Sequence, residues 1–176
     1  MSYKNENMKM IELHENGLDI QFRIRENGVV ELADFSSQEV KKAVMEPKDD
    51  ICYPAVEIHR SGTGSLNMHA YKNNINQSSV DFVYENHELK AQAGGKELEI
   101  VMISPEKLKA VYHMRLFDGV PAVQTWTEII NEGSEDQGLT YVSSFMYQGI
   151  SRGGEKPYYK KTDIYVPFNS WCCTWI

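Results

Sequence analysis

Between Leu18 and Arg25 the chain reads Leu-Asp-Ile-Gln-Phe-Arg-Ile-Arg, four apolar side chains alternating with four polar ones. Successive side chains of a strand point to opposite faces, so this period of two puts one whole set against a core and the other toward water; a helix would scatter both. The stretch therefore reads as a half-buried strand. Glu26-Asn27-Gly28 follows and then Val29 to Phe35. Asn-Gly is the favoured pair for a tight turn with positive φ at both central positions, so a β-hairpin is predicted.

The rest of the chain repeats this grammar. Val80 to Tyr84, Leu89 to Ala93 and Leu98 to Ile103, separated by Glu85-Asn86-His87 and Gly94-Gly95, read as a three-strand meander. Lys109 to Phe117 carries two interleaved sets, Ala110, Tyr112, Met114 and Leu116 against Val111, His113, Arg115 and Phe117. Only the second holds charge, so the first is expected to face the core. Asp118-Gly119-Val120-Pro121 supplies a turn before Ala122 to Asn131, where β-formers dominate and Trp126 is expected in the interior phase. Gly133 to Gly138 reads as a polar loop, and Leu139 to Tyr147 and Ile164 to Phe168 as further strands. Helical signals are confined to a capping box at Ser36-Ser37-Gln38-Glu39 before Val40 to Met45, and to one turn at Ser104-Pro105-Glu106. Short strands with frequent turn signals predict an all-β fold, an antiparallel β-sandwich occupying residues 1–176 as a single domain.

Charge and composition limit what such a sandwich does. The 176 residues carry 18 basic and 25 acidic side chains, a formal charge of -7. An acidic surface is a poor match for nucleic acid, whose affinity comes largely from Lys and Arg on phosphates. No apolar run approaches the roughly 20 residues that cross a bilayer, and Met1 to Met10 lacks the apolar core of an export signal, so a cytoplasmic protein without membrane contacts is expected. Cys52, Cys172 and Cys173 have neither a disulfide framework nor metal-ligand spacing. No metal and no cofactor is expected.

Particular residues say more than the strand pattern. Tyr53-Pro54-Ala55-Val56-Glu57-Ile58, then Ser61-Gly62-Thr63-Gly64 and His69-Ala70-Tyr71-Lys72, resemble the early N-terminal domain of family 36 glycoside hydrolases, the α-galactosidase group. Val123-Gln124-Thr125-Trp126-Thr127, Ile130-Asn131-Glu132-Gly133, Leu139 to Phe145 and Val166-Pro167-Phe168-Asn169-Ser170-Trp171 are similar to the segments that follow in that family. The resemblance implies part of a supersandwich related to galactose mutarotase, preceding a (β/α)₈ barrel that carries both catalytic carboxylates. A barrel takes about 250 residues, more than this chain, and the apolar end at Trp171, Cys172, Cys173, Trp175 and Ile176 reads as a stop inside a domain. The resemblance thus implies a non-catalytic piece whose partners are the barrel of its parent chain, an α-galactoside and, through oligomer contacts, further copies.

Candidate site residues follow from the same comparison. Asp50-Ile51-Cys52-Tyr53-Pro54-Ala55 is similar to a family segment Asp-Phe-Arg-x-Pro-Ala in a loop reaching the sugar, which makes Asp50 a candidate substrate contact. Cys52 stands where that segment has Arg, and a bidentate donor is lost with it. Trp171 is a second candidate, as a flat apolar surface for a pyranose. Retaining hydrolysis needs two carboxyl groups roughly 5 to 5.5 Å apart, whereas Asp49-Asp50, Glu135-Asp136 and Glu26 all fall in predicted turns, so none is assigned as a catalyst. Two alternatives stay open: a stand-alone carbohydrate-binding module using its aromatic residues, and an aldose mutarotase in which two of His14, His59, His69, His87 and His113 act with a glutamate.

Overall fold

The computed structural model describes residues 9–37, 53–63 and 76–147. Within them the fold is all-β and antiparallel. β1 (Lys9–Glu15), β2 (Leu18–Ile24) and β3 (Val30–Ser37) form a three-stranded sheet in chain order. β4 (Ile58–Arg60) pairs across the sequence with β9 (Leu139–Val142), and one helical turn, α1 (Gln77–Val80), lies next to β4. β5 (Val83–Gln92), β6 (Gly95–Ile103), β7 (Leu108–Phe117) and β8 (Val120–Asn131) make a four-stranded meander.

The two larger sheets share one core, which makes the architecture a sandwich. Leu18, Ile20, Phe22 and Ile24, one phase of β2, are all buried, and so are Ala110, Tyr112, Met114 and Leu116, the predicted inward phase of β7. Phe22 from one layer meets Tyr112 from the other edge to face, ring centroids 5.6 Å apart. An aromatic pair of this geometry contributes roughly 0.5 to 1.5 kcal/mol beyond the area it buries. Leu98, Ile100 and Met102 of β6 and Ala55, Val56 and Ile58 around β4 complete the core. Polar ties close the layers at their margins. Asn16 donates to the Phe117 carbonyl at 2.9 Å and accepts from the Gly119 N–H at 2.9 Å, Lys96 pairs with Glu15, and the Tyr84 N–H donates to the Gly28 carbonyl at 2.8 Å.

Two Asn-Gly pairs show how neighbours select a turn. Asn16-Gly17, between β1 and β2, has positive φ at both residues, 52° and 83°, which is the two-residue mirror-image turn. At Asn27-Gly28 only Gly28 is left-handed, φ 84°, and Gly28 donates to the Arg25 carbonyl while Arg25 donates to Val29. The loop there holds three residues, so the predicted hairpin forms but through a type I turn followed by a glycine bulge.

Other expectations change. Ser36 and Ser37 end β3 instead of capping a helix; residues 38–45 lie outside the described ones. Ser104 to Lys107 is a β-turn closed by Lys107 donating to the Ser104 carbonyl at 3.0 Å. Glu85-Asn86-His87 does not separate two strands. It sits inside β5, where a bulge between Tyr84 and Asn86 absorbs the extra residue without ending the pairing to β6. β9 covers only Leu139–Val142, and the strand expected at Ile164 to Phe168 lies outside the described residues. Among the described residues no helix is long and apolar enough to cross a membrane.

Candidate functional site

The second phase of β7 turns away from the core, and its cross-strand partners gather there. His113 stands opposite Glu99 on β6 and opposite Trp126 on β8. Side chains two residues apart on one strand share a face, so Glu97 and Arg115 join this row, with Lys90 and Glu88 arriving from β5 opposite Glu97 and Glu99. Glu128, two positions beyond Trp126, completes the group.

Although it lies on the outer face, His113 is only 8% exposed. Its cover comes from its own neighbours: the Trp126 ring stacks on the imidazole with centroids 4.6 Å apart and planes inclined by 6°. Nδ1 lies 2.9 Å from Glu97 Oε1 and 3.9 Å from Glu99 Oε1, and on the other side Nε2 lies 3.7 Å from Glu128 Oε2. The last distance is too long for a hydrogen bond, and Nε2 is buried without a hydrogen-bond partner. Lys90 binds Glu99 and stands 3.7 Å from Glu88; the bond to Glu99 raises the lysine's pKa above its ordinary value. Arg115 points elsewhere, donating to the Ala93 carbonyl with its guanidinium carbon 5.3 Å from the centre of the Phe117 ring.

A second polar assembly lines the seam between β4, α1 and β9. Glu57, 3% exposed, accepts from the Asn76 N–H at 2.8 Å and lies 3.0 Å from His59 Nε2, and His59 packs on Tyr141. Ser78 and Ser79 stand in for a neighbouring strand along β4: both hydroxyls donate to the Ile58 carbonyl and accept from the Arg60 and Ile58 N–H groups. Arg60 bridges Asp81 at 3.1 Å and Glu106 at 2.7 Å. Desolvation pushes the Glu106 carboxyl up, but hydrogen bonds from its own backbone, Arg60 and Ser104 outweigh it and hold its pKa below the ordinary value. Backbone groups are the main partners here, as in a scaffold. Asn76 caps α1 through the Ser78 N–H and is buried, a structural role.

The substrate contacts expected from sequence, Asp50 and Trp171, lie outside the described residues, as do Asp49, Cys52 and Trp175. Glu26, Glu135 and Asp136 are exposed and in turns or loops. Trp126 belongs to the outer face and not to the core, because β8 register pairs it with His113. Among the described residues the histidines that a mutarotase would bring together have different partners: His14 meets Asp19, His59 meets Glu57, His87 meets Tyr84, and His113 meets Glu97, while His69 lies outside those residues. Nothing in the sequence alone singles out Glu97, Glu99 and Glu128 as a group. Glu97 and Glu99 carry the one usable signal, acids at i and i+2 in a strand, but their convergence on a histidine depends on register. No protein-family model matches the chain, and no curated protein is significantly similar to it.

Proposed function

We propose that the sandwich is a non-catalytic domain of an α-galactosidase-like glycoside hydrolase, packing on the catalytic barrel and bordering its sugar site in a cytoplasmic enzyme. The observation that carries this reading is the engagement of the carboxylates that converge. Glu97 is bonded to His113, Glu99 to Lys90, and Glu57 to a backbone N–H and His59. A retaining hydrolase needs one carboxylate free to attack and one acid aimed at the leaving oxygen, and each of these groups is held by a neighbour through one oxygen, Glu57 through Oε1 with Oε2 buried and unbonded. The exposed apolar side chains Val120, Ile130, Leu139, Tyr141 and Phe145, on and just beyond β8 and β9, suit a surface that another domain covers. The test is turnover of a chromogenic α-galactoside by the purified chain. No hydrolysis is expected; activity that stays with the protein through repeated purification overturns the proposal.

The outward position of Trp126 favours one second reading, a carbohydrate-binding module. Titration calorimetry with galactose, melibiose and raffinose separates the two. Binding heat that disappears in Trp126→Ala selects the module, and its absence selects the architectural domain.

A further inference from the structure

We infer that the outer face of β6 and β7 holds a divalent transition-metal cation through His113 Nδ1 and the carboxylates of Glu97 and Glu99. This goes beyond the proposed function and does not rest on it. One ligand atom from each residue lies within 4.8 Å of the others. In a tetrahedral site with bonds of about 2.0 to 2.2 Å, neighbouring ligand atoms stand about 3.3 to 3.6 Å apart. The distances from Nδ1 to the two carboxylates, 2.9 and 3.9 Å, straddle that range, and the two carboxylates lie within 4.8 Å of each other, so side-chain adjustments without a change of strand register bring the three onto one cation.

The independent sign of a ligand is the other imidazole nitrogen. His113 is nine-tenths buried, yet Nε2 has no hydrogen-bond partner and faces Glu128 Oε2 across 3.7 Å. A cation on Nδ1 displaces any proton there. Nε2 then carries the proton, and Glu128, whose side chain is 58% exposed, becomes its acceptor by closing the 3.7 Å gap. A ligating histidine whose second nitrogen donates to a carboxylate is the usual support for such a ligand. Stacking on Trp126 fixes the ring plane in the same way.

Charge points in the same direction. Four carboxylates, Glu88, Glu97, Glu99 and Glu128, share this face with two cations, Lys90 and Arg115, and Arg115 is turned to the Ala93 carbonyl, so the face is negative. The imidazole nitrogen selects a transition metal such as Zn²⁺ over Mg²⁺ or Ca²⁺, which take oxygen ligands. Lys90 is the competitor for Glu99, and Glu88 gives it a second carboxylate when a cation arrives.

The experiment is calorimetric titration of the full chain with ZnCl₂, using a variant with Cys52, Cys172 and Cys173 changed to serine so that thiolates cannot contribute. One equivalent is expected to bind. His113→Ala should abolish binding, Glu97→Gln and Glu99→Gln should each weaken it strongly, and Glu128→Gln should weaken it by roughly 10 to 100-fold. Lys90→Met should tighten it. Circular dichroism establishes that each variant is folded. Absence of heat in the cysteine-free protein, or a site that survives His113→Ala, overturns the assignment. So does an NMR titration in which His113 stays a doubly protonated imidazolium in the presence of Zn²⁺, because a proton then fills the place given to the metal.

Discussion

The two faces of the four-stranded sheet are built from the same strands and bury their residues by different means. On one face Leu98, Ile100, Tyr112 and Met114 are at most 1% exposed because a second sheet covers them. On the other, His113 reaches 8% exposure under a tryptophan from the next strand, with three carboxylates around its edge. The first kind of burial removes apolar area from water and drives folding. The second adds little to stability, because each ion pair gives up hydration as it forms. Each face holds a buried polar atom without a hydrogen-bond partner, the Tyr112 hydroxyl on the covered side and His113 Nε2 on the other, but only the second sets its atom among carboxylates, so it is the face from which chemistry is expected.

Adjacent residues of β7 sharpen this contrast. Met114→Ala, on the covered face, is expected to cost about 2 to 5 kcal/mol by removing buried volume. His113→Ala, one residue away, is expected to cost only about 1 kcal/mol, the scale of a lost ring stack. Urea midpoints for the two variants decide the matter; equal losses would show that the outer cluster is part of what drives folding. A double-mutant cycle with Trp126→Ala then isolates the stack, and a coupling energy near zero would mean that the rings merely lie together.

The smallest effect concerns a histidine in the opposite phase. His87 pairs with Ile100 in register, and its hydroxyl partner is Tyr84 at 2.7 Å. Burial, with Lys9 nearby, holds its pKa below the ordinary 6.5. A depressed value means that the unfolded chain takes up the proton first. The contribution is therefore fully present above pH 6.5 and is lost as pH falls through the lowered folded value. In urea midpoints measured against pH, His87→Gln should show a shallower decline on the acid side than the parent, and identical slopes would rule the assignment out.

The face that drives folding was also the legible one. Strict alternation in β2 and the single charged phase of β7 named their buried residues without coordinates. β8 resisted the same reading because it is apolar in both phases: Val123 and Ile129 pack against the core while Trp126 and Ile130 lie on the outer side. Period alone cannot choose between such sets, and register with β7 does. β1 was missed because its buried residues are just Ile11 and Leu13 among polar neighbours. β4 was missed because three residues with serine hydroxyls along one edge carry no periodic signal. The outer cluster was illegible for the reason that makes it interesting: Glu97, Glu99, His113, Trp126 and Glu128 come from three strands and meet only after pairing.

The Asn16 amide, which joins the turn after β1 to the turn after β7, has a consequence for the order of events during folding. Its acceptor at Phe117 is 101 residues away in sequence, whereas each hairpin that it links closes over a few residues. Closing a long loop has a large entropy cost that grows only slowly with further length. Contacts of that span reward the chain late. The clasp is thus made between hairpins that already exist, and what it sets is less how fast the layers form than how firmly they stay shut.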